Sequence, residues 1–458
     1  MPPPVSATAS GPGSGSDLLV DARLGVITSL TAYPAGPYAP TTWSGYSARV
    51  ADTTEFAGWA ADRYGFGASL VDPDAARGAA LGEAVERYCG NAVPTTLTVQ
   101  SWNQLSDRGV RAVDPDRLAL YSPAQYASAG FPFVPFTRDL PVAWVPGTAL
   151  RGVGLDTGEE VLVPASLAYL NYFVGAHADE APTHALMYSG IATGRSRNEA
   201  VRSAIEELAE RDALTTWWVG GRQARAVVGA EDLLEDLGIP EACDRRDGTL
   251  LVRLLHVPGD LGPPVIVAFV EHPDAGLVSF GSACRSTPER AVAKAVTEAL
   301  AMLELTREVA TDASALWQAV QRGDIDPRTF KPFRADRRYA QDFRPDLHDV
   351  VDLPTLAQYY LDPVHQGFAL DRLRIRSPSV RLHDIPPADP DSYVSTLVEA
   401  GFEPVVVDLT TSDVARSGLH VVRVVIPGLY GNAPPAFPLL GGARVPAARP
   451  APHPLPQI

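Results

Sequence analysis

Two segments of the chain repeat one arrangement of side chains, with Glu at positions i and i+3 and Arg at i+4. The sets are Glu83, Glu86 and Arg87, then Glu207, Glu210 and Arg211, with Glu298 at the equivalent place in a third segment. Residues three and four apart share one face of a helix. Clustered carboxylates repel unless cations neutralise them, and Mg2+ is typically held by a few carboxylates together with substrate phosphates. The pattern therefore predicts a metal–triphosphate site built from glutamates.

The alternative interpretation of this pattern is a solvated helix face. A single Glu-x-x-Glu-Arg set usually forms weak ion pairs at the surface. Here the sets are matched, and in the first helix Glu83 and Glu86 lie among alanines and a leucine rather than on an evidently polar face. This repetition favours the functional interpretation.

The elements that must position these carboxylates also resemble one another. Residues 67–88, 190–212 and 281–303 each begin with a glycine and a short loop, followed by an alanine-rich stretch. In each segment one glutamate, Glu83, Glu207 or Glu298, comes 16 or 17 residues after the glycine. We therefore predict three related glycine-loop and helix elements.

Local chemistry predicts where these three helices begin. Asp72 is suited to cap the first helix, with a proline following it in the first turn. Ser196 and Glu199 have the spacing of a capping box, which Ser286 and Glu289 repeat in the third segment.

Apolar, β-branched runs between the helices predict buried strands. They cover 96–102, 250–257, 264–271, 403–410 and 420–428. Residues 129–165 and 308–350 are rich in Pro, Gly and Asp and predict long loops. Helices and strands mix without strict alternation, so we expect an α+β architecture with mixed sheets and packed helices.

Composition excludes several classes of protein. The chain has 458 residues, of which 46% are hydrophobic, and no apolar run long enough to span a membrane. Its net charge of −16 argues against a general nucleic-acid binder. Its two lysines, Lys294 and Lys331, lack the context of a GxxxxGK[ST] phosphate loop. Three widely spaced cysteines and no secretory signal favour a cytoplasmic location.

The end of the chain, 434–458, is proline-rich and predicts an extended arm that forms neither strand nor helix. Pro454 and Pro456 alternate with other residues shortly before the terminal Ile458. Such a segment is either a stiff disordered tail, which composition alone favours, or a rigid arm that carries the terminal carboxylate into a site.

Four motifs in order resemble the YcaO-domain family. They are ARGAALGEAVERY (76–88), SRNEAVRSAIEELAERDA (196–213), FGSACRSTPERAVAKAVTEAL (280–300) and the proline-alternating end. The resemblance implies a YcaO-like fold over residues 58–458, with 434–458 as its C-terminal arm. Residues 1–16 are then a disordered tail and 17–57 an N-terminal extension.

The resemblance also implies cofactors and roles for particular residues. ATP and Mg2+ are the expected cofactors, with Glu83, Glu86, Glu207 and Glu210 holding the metal. Around ATP and its phosphates the family pattern places Glu199, Ser203, Arg211, Arg87 and Glu298. For the catalytic end of the arm it suggests Pro454, Pro456 and Ile458.

This sequence departs from the family pattern at four places. Ala79 stands where a serine is common, Phe66 replaces a lysine, and Ala301 replaces a glutamine. Two residues, Gln457 and Ile458, follow the last proline. The carboxylate framework is intact, so these changes concern contacts to the adenine and the phosphates.

The resemblance implies an azoline-forming cyclodehydratase of ribosomal peptide biosynthesis, such as bacteriocin production. Thioamide or amidine formation by the same ATP-dependent logic is the nearer alternative, and a non-catalytic nucleotide-binding scaffold is the farther one. Expected partners are a precursor peptide, a separate E1-like leader-binding protein, a downstream azoline dehydrogenase and a second copy of the chain. A separate leader-binding protein is expected because the first 57 residues are too short and Pro/Gly-rich for such a domain. No nucleic acid or membrane partner is expected.

Overall fold

The computed structural model describes residues 18–55, 61–152, 154–155, 157–243, 249–445 and 453–457. The predicted tail 1–16 lies outside the described residues. The strands are β1 (Ile27–Tyr33), β2 (Ser44–Val50), β3 (Tyr64–Ser69), β4 (Thr98–Gln100), β5 (Val142–Leu150), β6 (Gly158–Pro164), β7 (Ile191–Gly194), β8 (Arg225–Val228), β9 (Leu251–His256), β10 (Val265–His272), β11 (Leu277–Cys284), β12 (Ser379–Arg381), β13 (Val405–Asp408) and β14 (His420–Val425).

The helices are α1 (Pro73–Asn91), α2 (Trp102–Asp107), α3 (Pro123–Tyr126), α4 (Ala165–Ala168), α5 (Arg197–Trp218), α6 (Glu231–Asp236), α7 (Ile239–Cys243), α8 (Pro288–Val309), α9 (Ala315–Arg322), α10 (Thr355–Leu361), α11 (Tyr393–Glu399) and α12 (Ser412–Ala415). Short 3-10 turns connect several of them. In the part of the chain that the structure describes, no helix combines the length and apolar composition needed to cross a membrane.

The strands form three sheets, and the architecture is α+β as predicted. One sheet has the order β1-β2-β3, a second β11-β10-β9-β8-β12, and a third β4-β5-β13-β14-β7 with β6 paired to β5. The predicted N-terminal extension, 17–57, supplies β1 and β2, and β2 pairs with both β1 and β3 in one antiparallel sheet. The extension is therefore continuous with the sheet that leads into α1.

Each of the three repeated segments is a strand that leads into a long helix, namely β3–α1, β7–α5 and β11–α8. Two of the three leading glycines permit the close approach of that helix to its strand. A Cβ on Gly67 would lie 2.3 Å from the Ala76 oxygen, and one on Gly281 would lie 2.2 Å from the Ala295 oxygen. The third, Gly190, has φ of +90°, which favours glycine for a different reason.

The helix starts agree with the sequence in two of three cases. Asp72 caps α1 and Ser196 caps α5, although the Glu199 carboxylate accepts from the backbone N–H of Arg195 rather than that of Ser196. The predicted cap Ser286 is wrong, because Thr287 accepts from the N–H of Arg290 and begins α8. Both residues are hydroxyl-bearing neighbours, so spacing alone did not distinguish them.

The prediction of long loops is wrong in two places. Residues 129–165 contain the hairpin of β5 and β6, and 308–350 contain α9. Pro146 lies within β5, where Leu162 of β6 is its partner on one edge. On the other edge it lies between the residues that pair with β4 and those that pair with β13, and no described strand pairs with Pro146 itself there, so its missing N–H is tolerated.

Helix α5 lies in the interior and contacts both large sheets, through β7 and β14 on one side and β10 and β11 on the other. Its buried residues include two carboxylates, Glu210 and Asp212, alongside Trp217 and other apolar side chains. A buried charged group requires a partner. The partners of these two carboxylates determine how α5 connects the candidate site with the end of the chain.

Candidate active site

The carboxylates of α1 point towards two backbone segments. Glu83 accepts from the backbone N–H of Phe66 (2.9 Å) and pairs with Arg87 (2.8 Å). Glu86, one turn along, accepts from the backbone N–H of Thr193 in β7 (2.7 Å). The Thr193 hydroxyl donates in return to the carbonyl of Gly82 (3.1 Å). These bonds fix the acidic face of α1 against β7.

The carboxylates of α5 diverge to two different strands. Glu207 accepts from the backbone N–H of Gly190, immediately before β7 (3.0 Å). Glu210 turns to β11, where the Ser282 hydroxyl (2.6 Å) and the backbone N–H of Cys284 (3.1 Å) donate to it. Glu86 and Glu207 therefore reach the two ends of β7 from two helices.

The charges of Glu83, Glu86 and Glu207 act on one another. The pKa of Glu86 is raised to about 8, mainly by burial and also by the nearby charges of Glu83 and Glu207. The hydrogen bond from Thr193 and the charge of Arg87 lower it by less. Burial also raises the pKa of Glu207. Carboxyl groups held together without enough positive charge are the environment that a divalent cation stabilises.

Glu210 differs from the other three glutamates. Burial alone would raise the pKa of its carboxyl, but Arg211 at 3.0 Å and the Ser282 hydroxyl outweigh burial and lower it. Its acceptor atoms are thus already satisfied by Arg211 and β11. Glu210 joins the second repeated element to the third, whereas burial raises the pKa values of Glu86 and Glu207.

The donor set fits Mg2+ in chemistry, because it consists of carboxylate oxygens. Within the described ranges, no three His, Cys, Asp or Glu residues are already gathered around one point that could hold an ion. Glu83, Glu86 and Glu207 instead bind backbone N–H groups. Each N–H occupies one oxygen of its carboxylate, so each group retains lone pairs that a cation could use.

Three arginines surround the carboxylates. The Arg87 guanidinium lies over the Tyr188 ring, 4.2 Å from its centroid, while Arg211 contacts Glu210 and lies 3.7 Å from Glu207. Arg423 on β14 is 3% exposed and donates to the carbonyls of Met187 (2.9 Å) and Tyr188 (3.0 Å). Burial lowers the pKa of Arg423 to about 10, against the opposing effect of Glu207.

The remaining residues predicted to contact ATP lie at the beginning of α5 and on α8. Glu199 and Ser203 are exposed in the first two turns of α5. Glu298 on α8 forms an ion pair with Lys294 (3.1 Å), and its charge is also felt by Arg211. The structure therefore places Glu298 on the same side as Arg211.

The last described residues of the C-terminal arm, 453–457, are docked between α5 and α10. The Trp218 indole N–H donates to the carbonyl of His453 (2.9 Å), and the Tyr359 hydroxyl contacts the His453 ring (2.8 Å). Tyr360 donates to the carbonyl of Pro454, and Pro456 is buried. These residues form neither strand nor helix, as predicted for the arm.

The tip of the arm approaches the glutamates. The Gln457 amide donates to the Ser282 hydroxyl (3.3 Å), and that hydroxyl donates to Glu210. The predicted catalytic residue Ile458 lies outside the described residues. Gln457 directly follows Pro456, so this contact brings the segment with Pro454 and Pro456 close to Glu210 and its partner Arg211.

Sequence reasoning missed Arg423 and Tyr188. Arg423 had a visible signal, since it is the one charged residue in the apolar run 421–426 and a charge inside a buried strand requires partners. Tyr188 had none, because its contact with Arg87 joins residues about 100 positions apart in the sequence.

A family model described as "YcaO cyclodehydratase, ATP-ad Mg2+-binding" matches residues 66–430, and the chain belongs to the YcaO family. ATP and Mg2+ are thus the cofactors of the family to which this site belongs. A protein of Rhizobium leguminosarum bv. trifolii, described as uncharacterized and encoded in the tfuA 3' region, is 28% identical over 295 residues. The alignment covers 62% of this chain and 60% of that relative's length.

Solved structures share the fold. A heterocyclase in complex with substrate and cofactor has a TM-score of 0.60 and 20% identity, covering 92% of this chain and 52% of that one. YcaO from Methanopyrus kandleri, bound with AMPPCP and Mg2+, has a TM-score of 0.53 and 19% identity, with 89% of each chain covered. A chain of the E. coli microcin synthetase McbBCD complex also scores 0.53, at 14% identity, covering 93% and 96%.

Proposed function

We propose that this protein is an ATP- and Mg2+-dependent cyclodehydratase. It forms thiazoline or oxazoline rings from Cys, Ser or Thr residues of a ribosomal precursor peptide. One observation carries the proposal. Glu86 from α1 and Glu207 from α5 accept backbone N–H groups at the two ends of the same short strand, β7. Family membership supplies the cofactors, and the docked arm supplies the resemblance to azoline-forming members.

The proposed roles follow from charge and position. Glu86 and Glu207, whose buried carboxyls have raised pKa values, would hold Mg2+ together with Glu83, one turn from Glu86 on α1, and Glu210 would orient Arg211. Arg211 and Arg87 would neutralise negative charge on the phosphates, while Glu199 and Ser203 lie on the half of α5 that would face the nucleoside. ATP, when bound, supplies the phosphoryl group that makes an amide oxygen a leaving group.

The residues of this chain would then hold the reacting groups in place. A substrate Cys, Ser or Thr side chain would lose its proton and attack the preceding backbone carbonyl carbon, and the oxygen of that carbonyl would take the γ-phosphoryl group with release of ADP. The C–O bond then breaks as phosphate leaves, and the former amide nitrogen loses its proton to form the C=N bond of the ring. Arg211 lies where charge on that oxygen would develop, since it adjoins both the carboxylates and the docked arm. Preorganised guanidinium groups stabilise such charge without reorganisation.

The partners proposed for this reaction are the precursor peptide, an E1-like leader-binding protein, a downstream azoline dehydrogenase and a second copy of the chain. The proposal is supported by a structural relative solved as a synthetase complex and by another solved with substrate. A cytoplasmic location remains a prediction from the sequence.

The test measures the mass of a precursor peptide encoded near the gene of this protein. The peptide is first incubated with this protein, ATP, Mg2+ and the leader-binding partner. We expect loss of one water per modified residue, dependent on ATP. Glu207→Gln should reduce the rate and the Mg2+-dependent nucleotide affinity by at least about tenfold. That is the lower end of the loss found when a group that supports a metal site is removed. Glu231→Gln, an exposed glutamate at the start of α6, is the matched control.

Other outcomes of the same experiment favour the alternatives. Exchange of oxygen for sulfur when sulfide is supplied would assign thioamide formation, and incorporation of a supplied amine would assign amidine formation. Nucleotide binding that disappears in Glu207→Gln, with no mass change under any condition, would assign a scaffold.

A further inference from the structure

A cavity of about 460 Å³ lies beside the C-terminal half of α5, beyond Arg211. Its apolar lining includes Phe131, Leu214, Trp218, Leu353, Ala433 and Leu455. The charged side chains in the described lining are Arg211 and Asp346, and the imidazoles of His348, 3.7 Å from Asp346, and of His453, whose pKa burial lowers, also line it. This volume and this largely apolar wall are those of a small-ligand pocket.

The chain's own C-terminal arm forms one wall of the cavity. His453, Pro454, Leu455 and Gln457 all line it. The arm is held there by bonds from Trp218, Tyr359 and Tyr360, as described above. The wall is therefore part of the folded structure, and the cavity has a defined shape.

The cavity adjoins the carboxylate site rather than standing apart from it. Arg211 contacts Glu210 and also lines the cavity, and Gln457 lines it while donating to Ser282, which binds Glu210. A ligand that fills the cavity thus lies against the groups assigned to the reacting centre.

Position along α5 argues that the occupant is not the nucleoside. The residues expected near the nucleotide, Glu199 and Ser203, lie at the beginning of α5, and the cavity begins near Leu214. At 1.5 Å per residue, Glu199 and Leu214 are about 22 Å apart along the helix axis. The carboxylates lie between these two ends.

Charge argues that the occupant is a neutral group. Polyphosphates require several cations, and the described lining offers one guanidinium, which Glu210 already engages. Burial of a charged side chain against Leu, Trp and Phe without a partner is unfavourable, whereas burial of an apolar one releases about 25 cal/mol per Å².

We propose that this cavity binds the side chain of the substrate residue whose backbone carbonyl is attacked, and that it selects large uncharged side chains. This inference rests on the proposed function. The attacking Cys, Ser or Thr side chain is committed to the carbonyl carbon. The preceding residue's side chain, attached next to that same carbonyl, is the group that must occupy nearby space.

The test uses binding rather than turnover. The probes are capped tripeptides, acetyl-X-Cys-Gly-amide with X as Phe, Leu, Gly or Asp, titrated into the full chain with Mg2+ and a non-hydrolysable ATP analogue. We expect the Phe and Leu peptides to bind at least tenfold more tightly than the Gly and Asp peptides. Ala433→Phe, which fills the cavity, should weaken the Phe peptide at least tenfold and leave the Gly peptide and nucleotide within twofold. Ala178→Phe, at an exposed alanine outside the lining, is the matched control.

A second variant removes volume instead of adding it, in case the first misfolds. Leu455→Ala shortens a side chain of the arm's wall and should shift the preference from Phe towards a naphthylalanine peptide. Equal affinities across the panel, no binding of any tripeptide, or equal weakening of all four by Ala433→Phe would each refute the pocket. If the preference is present but no peptide is ever modified, the pocket stands and the proposed reaction fails.

Discussion

Arg444, within the C-terminal arm, forms an ion pair with Asp212 on α5 that can be tested by itself. Arg444 makes two hydrogen bonds to Asp212 on α5 and a third to Asp260 (2.6 Å). Asp212 is 1% exposed, and the backbone N–H of Tyr430 also donates to it (3.1 Å). Arg444→Met keeps an apolar stem over the Phe402 ring but removes the charge that compensates Asp212.

The structure sets an upper limit for the loss of stability. An unpaired Asp212 carboxylate can escape its penalty by binding a proton, and protonating a carboxyl of pKa 3.9 at pH 7 costs about 4 kcal/mol. Burial already raises the pKa of Asp212 against the effect of Arg444, which reduces that figure. We therefore expect Arg444→Met to lower the free energy of unfolding by about 3 kcal/mol at pH 7, in the range for a broken buried pair.

The loss should depend on pH. In the variant the folded-state pKa of Asp212 lies above its unfolded value, so the penalty applies above the unfolded pKa and is relieved as pH falls towards it. At pH 5 the same calculation limits the loss to about 1.5 kcal/mol. Asp212→Asn removes the carboxylate charge, and Arg444→Met in that background should lose about 1 kcal/mol or less.

Urea unfolding followed by circular dichroism, at pH 7 and pH 5, measures the four proteins of this cycle. Arg222→Met is the control, because Arg222 pairs with Asp260, whose side chain is 42% exposed, and exposed pairs contribute about 0–1 kcal/mol. The reasoning is refuted if Arg444→Met resembles Arg222→Met, if its effect is the same at both pH values, or if the two substitutions add within about 0.5 kcal/mol.

Three further predictions concern packing, acid stability and the carboxylates. Gly281→Ala should destabilise by more than about 1 kcal/mol, since its Cβ would meet helix backbone, whereas Gly78→Ala, in open space on α1, should stabilise by about 0.5–1 kcal/mol in the same melts. Burial lowers the pKa of His184 to about 4, so wild type should lose about 3 kcal/mol as pH falls from 6.5 to 4. His184→Gln should flatten that dependence, and an unchanged profile would contradict it. Glu86→Gln should weaken Mg2+-nucleotide binding without lowering the melting temperature of the cofactor-free protein, because among the described residues no arginine lies within hydrogen-bonding distance of its carboxyl; a large loss of stability would assign Glu86 a structural role.

The tertiary structure distinguishes two members of the predicted metal set. Glu207 and Glu210 look equivalent in sequence, since each follows the pattern of Glu83 and Glu86. In the fold, Glu210 contacts Ser282 and Arg211 closely, whereas Glu207 accepts from the backbone N–H of Gly190 and lies 3.7 Å from Arg211. Helical spacing predicts that two side chains share a face, but the partner of each depends on strands that are distant in the sequence.

The same limit explains the missed arginine and the hairpin. Arg423 acts through two carbonyls about 235 positions away, and no local pattern records such a contact. The hairpin of β5 and β6 was hidden because residues 129–165 are rich in Pro, Gly and Asp, and the tolerance of Pro146 within β5 depends on which edges of that strand are paired.

The sequence by itself determined the three glycine-loop helices, the helix that carries each glutamate and the α+β class. These follow from interactions within about one helical turn, namely caps, spacing and the small residues that permit close packing. Only the tertiary structure decided that β7 joins the two acidic helices, and that the arm returns to α5 beside Arg211. It also decided that a cavity forms beneath the arm. Those features depend on long-range burial and pairing, for which residues far apart in the chain must meet before any of them has a partner.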